Sequence, residues 1–536
     1  MSGLSFEVII IGGGLAGIMA AQAAESEGAR VLLVDKGPVG RGTNTALANG
    51  LFASPTAEYP PEAFIRDTHQ IGRGINKGVY VRQIAQEAPK TMDFLEGLGV
   101  IRKDTKGHFS VPTPDASSIP GLFLVKALAE KMLQAKGLTI LRNFYVTELQ
   151  RNERIIGVKG FDEQGRDLVL RAPAVILATG GAGAIYLRND NQKGIMGQGY
   201  ALAARAGLAL RDMEFVQFYP LVLSEARRPS LLIYPPYPDS LRLTNAEGED
   251  LLARWGMGSL NKATLTERDR LSLLLYEENQ KGPVFLDCRQ VLEEDWNALR
   301  ASLVKKVSLD SHKRSLAVSP ATHFFMGGLR TDALAQTRLR GLFACGEVVW
   351  GLHGANRRGG NALTECAVMG QIAGREAAHY ARSHPFKGSV TPSEESGWRP
   401  GDKPAFDQLR GLRLKLREIA WNCAGILRRE EGLRQGMDEL NSLRTHLNSL
   451  IPQTIEDRRL KEDLLSGSLV LQAVLSASLG RKESRGSFNR LDYPREDNRN
   501  WLKNSCLKYE PEAAIFQVTY EPVNTDEDQV KDSDSV

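Results

Sequence analysis

The chain has 536 residues, 42% of them hydrophobic and 25% charged, the balance of an ordinary globular protein, and at roughly 150 residues per domain its length suggests about three domains. This composition excludes disorder, collagen-like repetition and membrane embedding for the chain as a whole. Lys plus Arg is 68 and Asp plus Glu 64, a net charge of +4, which gives no case for nucleic acid as the main partner.

Phe6 to Ile11 reads as a buried parallel strand, short, β-branched and apolar on both faces. It is too short for a signal-peptide core, and Glu7 stands before it where Lys or Arg would be expected. Leu15 to Glu27 reads as a helix and Arg30 to Asp35 as a second apolar strand, which together make a βαβ unit. Helices follow at Val79–Leu98 and Pro120–Ala135. Leu138–Thr147, Ile155–Asp162 and Asp167–Leu170 alternate as strands of a small sheet, and Ala174–Ala178 is a buried strand stopped by Thr179-Gly180-Gly181. From about 223 to 317 the character changes: a Pro- and Tyr-rich loop (Pro229, Pro235, Pro236, Pro238) precedes charged helical pieces such as Glu267–Gln280, as expected of an inserted domain. Leu342–Ala344 is another short strand and Glu365–Ser383 a helix. Pro385–Pro404 is the best linker. Leu409, Leu412, Leu416 and Ile419 lie on one helical face, and Leu433, Met437, Leu440, Leu447 and Leu450 continue the pattern, so the region to about 480 reads as a helical bundle. Thr525–Val536 carries five acids among small polar residues and reads as a disordered tail. No stretch offers about 18 uncharged apolar residues, so no spanning helix is expected. The five cysteines (Cys288, Cys345, Cys366, Cys423, Cys506) contain no CxxC pair. A disulfide framework, a metal site and an iron–sulfur cluster held by this chain alone are therefore not expected, and the cytoplasm is the simplest location.

The chemistry begins at Gly12-Gly13-Gly14-Leu15-Ala16-Gly17, which matches GxGxxG at Gly12, Gly14 and Gly17. The motif follows a strand, opens a helix and precedes Asp35 at the end of the next strand, the context of a dinucleotide site. Gly12 permits the tight turn, Gly14 lets the backbone approach a pyrophosphate and Gly17 lets the helix pack on the sheet. The helix N-terminus offers N–H groups to the phosphates, and Asp35 accepts from ribose hydroxyls. The plain alternative is a Gly-rich turn without a ligand. Two later strand ends, Ala178-Thr179-Gly180-Gly181 and Gly341-Leu342-Phe343-Ala344-Cys345-Gly346-Glu347, favour FAD over NAD, because late strands commonly return to hold the longer cofactor.

Taken with His323-Phe324-Phe325-Met326-Gly327-Gly328, His353-Gly354-Ala355-Asn356-Arg357, Asn361-Ala362-Leu363, Arg481-Lys482-Glu483-Ser484-Arg485-Gly486 and Asp492-Tyr493-Pro494, these stretches resemble the succinate dehydrogenase/fumarate reductase flavoprotein family, which includes L-aspartate oxidase. The likeness runs nearly the whole length, and Gly351–Arg357 is most similar to the oxidase branch. It implies an α/β fold with a Rossmann-like FAD-binding domain (1–222 and 318–395), an inserted α+β capping domain (223–317), a C-terminal helical domain (400–480) and a C-terminal extension (481–536). It implies hydride exchange between the flavin and a carbon of a carboxylic acid, with Arg268 as the catalytic arginine and His323 and Arg357 on the substrate carboxylate. A possible partner is an iron–sulfur electron-transfer subunit, through which any membrane association would run. Cofactor contacts are expected at Gly12, Gly14, Leu15, Ala16, Gly17, Asp35, Lys36, Thr43, Thr45, Ala46, Asn49, Gly50, Val146, Ala178, Thr179, Gly180, Asn191, Glu347, Asn361, Ala362 and Leu363.

The residues themselves agree. Arg357 offers a rigid fork for a carboxylate, His323 can donate to a carboxylate or a developing enolate, and Arg268 can serve as an acid–base only if stripped of water beside charge. Each has a bland alternative: Arg268 a solvated residue of a charged helix, His323 a structural histidine, Arg357 a flavin-phosphate or subunit contact. Three departures from the family matter. The histidine that binds flavin covalently in the dehydrogenase branch is replaced by Thr43, so FAD is expected to be noncovalent. The family's QFHPT is Gln217-Phe218-Tyr219-Pro220-Leu221, placing Tyr219 at a substrate position. The TEAxRGEG segment is not recognisable, and Ile233, Tyr234 and Tyr237-Pro238-Asp239-Ser240 lie there. Gln198 also stands where the family has a GDG aspartate. A second substrate carboxylate would lack donors, at a cost of several kcal/mol, so ordinary dicarboxylates are not expected and the Tyr/Pro-rich wall suggests something larger, aromatic or less charged, unless those tyrosines merely pack the cap. An electron-transfer subunit with an altered substrate site, or a flavin-retaining assembly protein, are the competing functions.

Overall fold

A computed structural model describes residues 5–104, 106–114, 118–132, 134–225, 230–233, 235–292, 295, 314–393, 398 and 405–523. Tyr234, Pro229 and the acidic tail 525–536 lie outside the described residues. At the centre is a five-stranded parallel sheet, in the order Leu342–Ala344, Ala174–Leu177, Val8–Ile11, Val31–Val34, Leu138–Leu141. Its inner strands are fully buried, packed against the helices Leu15–Ser26 and Asn361–Ser383 and, at Ala174–Leu177, against the strand Ile155–Phe161. Leu15–Ser26 and Asn361–Ser383 pack closely: a Cβ on Gly370 or Gly374 would stand 2.6 Å from the Ala16 carbonyl or 2.2 Å from the Ala20 carbonyl.

The expected strand Leu138–Thr147 is two strands in two sheets. Leu138–Leu141 is the edge of the parallel sheet, whereas Tyr145–Arg151 pairs with Ile155–Phe161 in a four-stranded antiparallel sheet. Asn143, at φ +56°, lies in the break between them, a conformation that Asn tolerates better than most. The fourth strand of that second sheet is Ser389–Pro392, paired with Asp167–Arg171, so the Pro- and Gly-rich linker is partly sheet.

A third sheet joins Val216–Leu223, Ser315–Phe325, Val284–Asp287 and Arg242–Thr244. It carries the short helices Leu251–Trp255 and Leu260–Thr266 and the longer Arg268–Asn279. It has its own core, which includes Leu221, Tyr237, Leu243, Leu271 and Leu275. The two long strands bridge the cores: Val216, Phe218 and Phe325 pack in the main core, Tyr219 and Val318 in the cap core. The sequence boundaries at 222/223 and 317/318 therefore fall at the end of one bridging strand and inside the other.

Helices Phe406–Ala424, Glu430–Ser449 and Ile455–Gly480 form the expected bundle. The last is long and apolar enough by composition to cross a bilayer, a run missed by counting uncharged stretches, and 72% of its apolar window is buried inside the fold. From Arg481 to Val523 the chain is built into the fold. The hairpin Lys503–Glu510 and Ile515–Pro522 pairs with Leu210–Arg211 in a sheet completed by Gly328–Leu329. Arg481 bonds Glu214 and Glu483 at 2.7 Å each, and Arg485 bonds Glu483 at 2.8 Å, all with side chains fully buried. This explains the density of charge in the Arg481–Gly486 motif: it is a buried, mutually compensated network that ties the C-terminus to the core.

Candidate active site

One cleft of about 960 Å³ runs from the C-terminal ends of the parallel strands to the underside of the capping sheet. At its nucleotide end the glycines divide their work. Gly12 has φ +109°, and a Cβ there would lie 2.3 Å from the Ala178 carbonyl; a Cβ on Gly17 would lie 1.9 Å from the Gly12 carbonyl. Gly14 differs. Its backbone is extended (φ −77°, ψ −175°), and a Cβ there would meet nothing nearer than Thr45 Oγ1 at 3.4 Å. The protein's own packing does not require glycine at this position; a ligand backbone passing over it does. Asp35 is held by the loop: Gly13 N donates to Oδ2 at 2.6 Å and Gly37 N to Oδ1 at 2.8 Å, while burial pushes its carboxyl up. Leu15 N donates to Thr45 Oγ1 at 3.1 Å. Thr179 lines the cleft, but its Oγ1 is buried away from it, facing Gly199, where a Cβ would stand 1.9 Å from it. Gln198 Nε2 donates to the Val146 carbonyl at 2.7 Å, so the residue replacing the family aspartate braces the wall. These features fit FAD.

The expected cofactor residues line this cleft except for four. Gly17 lies under the loop and sets the helix against it. Ala46 is buried inside the short turn Asn44–Leu47. Gly50, at φ +71°, faces Pro120 and Val111, which a Cβ would meet at 2.6 and 2.9 Å. Asn361 sits behind the wall, where Nδ2 donates to Thr68 Oγ1 at 3.2 Å. Three contributors, Arg459, Asp463 and Asp190, carry no sequence signal, and Phe324 lies in a recognised stretch without being singled out. Arg459 and Asp463 reach the cleft from the bundle helix, with Asp463 Oδ1 2.9 Å from Lys36 Nζ and accepting from Tyr145 OH at 2.8 Å. Asp190 and Phe324 stand at the other end.

That other end gathers Tyr219, Arg268, His323 and Arg357. Arg268 is the first residue of its helix; Nε donates to the Thr264 carbonyl at 3.3 Å, and the guanidinium lies 5.2 Å over the Tyr219 ring. Arg357 is buried in the loop before Asn361–Ser383; Nε donates to Gln217 Oε1 at 3.0 Å and the guanidinium lies 4.8 Å over Phe324. Burial and then the neighbouring Arg268 push its pKa down to about 10. Glu347 accepts from Phe325 N at 3.1 Å and is pushed up to about 7, chiefly by burial. His323 Nδ1 is 2.7 Å from Asp190 Oδ2, and its ring packs 5.6 Å from Tyr219. The opposite wall is Ser230, Leu231, Leu232, Pro235 and Leu265. Ile233 and Tyr237 belong to the buried cap core instead, so among the described residues the wall expected to be tyrosine-rich is mostly aliphatic, with Tyr219 and Ser230 as its polar members. Among the described residues no group of His, Cys, Asp and Glu side chains could hold a metal ion.

Residues 7–363 match the FAD binding domain model and residues 413–534 the fumarate reductase flavoprotein C-terminal model. The chain belongs to the succinate dehydrogenase/fumarate reductase flavoprotein family. As a member it is an FAD-dependent oxidoreductase, with the FAD-binding, capping and helical parts of that family. It is 32% identical to a subunit of the fumarate reductase (CoM/CoB) of Methanothermobacter marburgensis, over 94% of this chain and 98% of that one. To L-aspartate oxidase of Agrobacterium fabrum it is 32% identical, over 91% of each. Among solved structures, the FrdA chain of E. coli quinol fumarate reductase superposes with a TM-score of 0.83 at 25% identity, covering 98% of this chain and 97% of that one. Mycobacterium smegmatis Sdh1 gives 0.82 at 26%, covering 96% and 94%.

Proposed function

We propose that this family member exchanges hydride with a CH–CH or CH–NH bond beside the carboxylate of a substrate whose remainder is apolar, and that succinate, fumarate and aspartate are not its substrates. The reading rests on the pair Arg268 and Arg357. Both guanidiniums line one end of the cleft, and among the described residues neither is paired with a carboxylate. Two cations without a directly paired carboxylate in a partly dry cleft favour an anion, and Arg357, braced by Gln217, presents a fixed fork to it. Gln217 is itself fixed, its Nε2 donating to Asn356 Oδ1 at 2.8 Å and to the Arg357 carbonyl at 3.0 Å. Beyond the arginines, Leu231, Leu232, Pro235 and Leu265 offer no donor for a second carboxylate, and the described wall adds no cation there, only the hydroxyls of Ser230 and Tyr219; a charge buried without adequate partners is costly.

Bound FAD supplies two-electron oxidation or reduction. The chain's part is to cradle its phosphates at the Gly12–Ala16 turn and its ribose at Asp35, and to hold the carboxylate against the arginines. The test is anaerobic mixing of the flavoprotein with 3-phenylpropanoate, isobutyrate, phenylalanine, succinate and aspartate while flavin absorbance is followed. Bleaching by an apolar monocarboxylate and not by succinate or aspartate is expected; preferential bleaching by a dicarboxylate would refute the reading.

A second reading places an iron–sulfur protein as the electron partner. It is supported by similarity to a protein named as one subunit of a larger enzyme and by the exposed Leu47, Leu51, Leu122 and Phe123, of which Leu47 and Leu51 also line the cleft. Co-purification under anaerobic conditions with a protein showing iron–sulfur absorbance is the expected result, and a homogeneous flavoprotein from the native source would oppose it.

A further inference from the structure

Removing hydride from a carbon beside a carboxylate leaves a proton to be taken from the neighbouring carbon or nitrogen, and the group that takes it must be basic near neutral pH. Arg268 occupies the family's position for this task, yet its surroundings do not equip it. Among the described residues its hydrogen bond runs to the neutral Thr264 carbonyl. The carboxylates beside it in sequence are engaged elsewhere, Glu267 with Arg270 at 2.7 Å and Asp269 with Arg73 at 3.4 Å. A guanidinium with no carboxylate to pass its proton to remains a fixed cation.

His323 is equipped. Its Nδ1 is 2.7 Å from Asp190 Oδ2; an ionised carboxylate only accepts, so Nδ1 carries the proton and the lone pair of the neutral ring lies on Nε2. The ring lines the cleft, and Nε2 makes no hydrogen bond to any described residue. Asp190 is itself fixed: Asn191 Nδ2 donates to its Oδ1 at 3.1 Å, and Asn191 Oδ1 accepts from Asn44 Nδ2 at 2.6 Å. The same Asn191 amide reaches the Thr322 and His323 carbonyls at 3.2 and 3.3 Å. One asparagine thus ties the flavin-side loop, the aspartate and the histidine's own strand together. A base oriented through its second nitrogen by a fixed carboxylate is the arrangement acid–base catalysis requires.

We propose that His323 Nε2 is the proton acceptor of this site and that Asp190 is the residue that positions it, with Arg268 and Arg357 left to bind the carboxylate. In the oxidative direction the C–H or N–H bond breaks towards Nε2, and its electron pair becomes the new π bond to the carbon whose hydride has left for the flavin. An N–H bond forms on His323, and Asp190 offsets the imidazolium charge. The reducing direction reverses each change. The proposal rests on the oxidoreductase reading above.

Two measurements test it, one independent of substrate. In holoprotein labelled with 15N-histidine, with the His323 signal assigned through His323→Gln, the neutral ring is expected in the Nδ1–H tautomer, and Asp190→Asn is expected to shift it towards Nε2–H. A wild-type ring in the Nε2–H form, or one unmoved by Asp190→Asn, would overturn the proposal. With whichever acid bleaches the flavin, His323→Gln is expected to lower the limiting rate of reduction about 10²–10⁴-fold. Asp190→Asn should lower the same limiting rate, and Arg268→Lys should chiefly raise the half-saturating acid concentration. A collapse of the limiting rate confined to Arg268→Lys would return the proton to the arginine. If no acid of the panel bleaches the wild-type flavin, the substrate reading fails, while the tautomer measurement still decides on Asp190.

Discussion

Gly14 and Gly17 belong to one motif and should fail in different ways when replaced by alanine. At Gly17 the new Cβ would sit 1.9 Å from the Gly12 carbonyl. An ordinary contact is near 3.4 Å, so the helix must retreat by roughly 1–1.5 Å at its first turn, and overpacking of this kind costs about 1–3 kcal/mol. Gly17→Ala should therefore lower the stability of the apoprotein. At Gly14 the extended backbone accepts alanine without strain, and the nearest atom, Thr45 Oγ1, is 3.4 Å away. Gly14→Ala should leave the apoprotein within about 0.5 kcal/mol of wild type, as substitutions away from packing features do. The added methyl instead occupies the space over which the cofactor's phosphates must come close. Losing one hydrogen bond to a charged group is worth about 1.5–3 kcal/mol, so FAD affinity should fall by roughly ten- to a hundredfold. Urea unfolding of the two apoproteins and titration of each with FAD by flavin fluorescence give the comparison. If Gly14→Ala destabilises the apoprotein as much as Gly17→Ala, or binds FAD as tightly as wild type, the assignment of the cradle to Gly14 is wrong.

With Thr43 in place of a histidine and its hydroxyl donating to the Gly40 carbonyl at 2.6 Å, acid precipitation should release all the flavin into the supernatant; yellow colour remaining in the pellet would contradict this. Glu347 is raised in the folded chain to about 7 from the 4.5 of an ordinary carboxyl. The folded state therefore holds the proton that the unfolded state gives up, and the stability this group contributes is complete below pH 4.5 and is lost as pH rises through 7. Glu347→Gln should flatten the fall in apoprotein stability between these limits, by a few kcal/mol at most, in urea midpoints measured across that range; an unchanged slope would refute the protonated state. Arg481 is fully buried between Glu214 and Glu483. Arg481→Met should cost about 3–5 kcal/mol by stranding those carboxylates, read as a lowered thermal midpoint, whereas a loss below about 1 kcal/mol would mean that Arg485 and water compensate.

The parts of the site legible in the sequence are those fixed by local rules. A strand ending in glycines, a helix beginning on them and an acid closing the next strand follow from backbone geometry over some 30 residues, and the structure places Gly12, Gly14 and Asp35 along the cleft as those rules require. The break between Leu141 and Tyr145 is invisible in the sequence because both halves are β-prone and only tertiary pairing sends them to different sheets. The Arg481–Gly486 motif is visible as a string of charges, but whether such a string is solvated or buried depends on partners hundreds of residues away, and here Glu214 decides it. Four motif residues lie behind the wall for a related reason: a pattern specifies which backbone approaches the ligand, and the residues that permit the approach, such as Gly17 and Gly50, do so by facing the protein.

Asp190 marks the limit most clearly. Its neighbour Asn191 is expected from the family resemblance, and Asp190 is not, because an acid in a polar loop carries no periodicity, cap or spacing. Its meaning arises only when strand Ser315–Phe325 brings His323 alongside, 133 residues later. The residues on which the proposed change of substrate rests, Tyr219 and the wall around Leu231 and Leu232, lie on the cap side of the cleft; the cofactor turn lies on the main-core side. A sequence under this division can keep its redox cofactor while changing the acid it handles, because the bridging strands Val216–Leu223 and Ser315–Phe325 carry Phe218 and Phe325 in one core and Tyr219 in the other. Changes to the second face need not disturb packing on the first. The cap side is accordingly where replacing Tyr219, Leu232 or Leu265 should alter which acid reacts while the flavin's own binding stays intact.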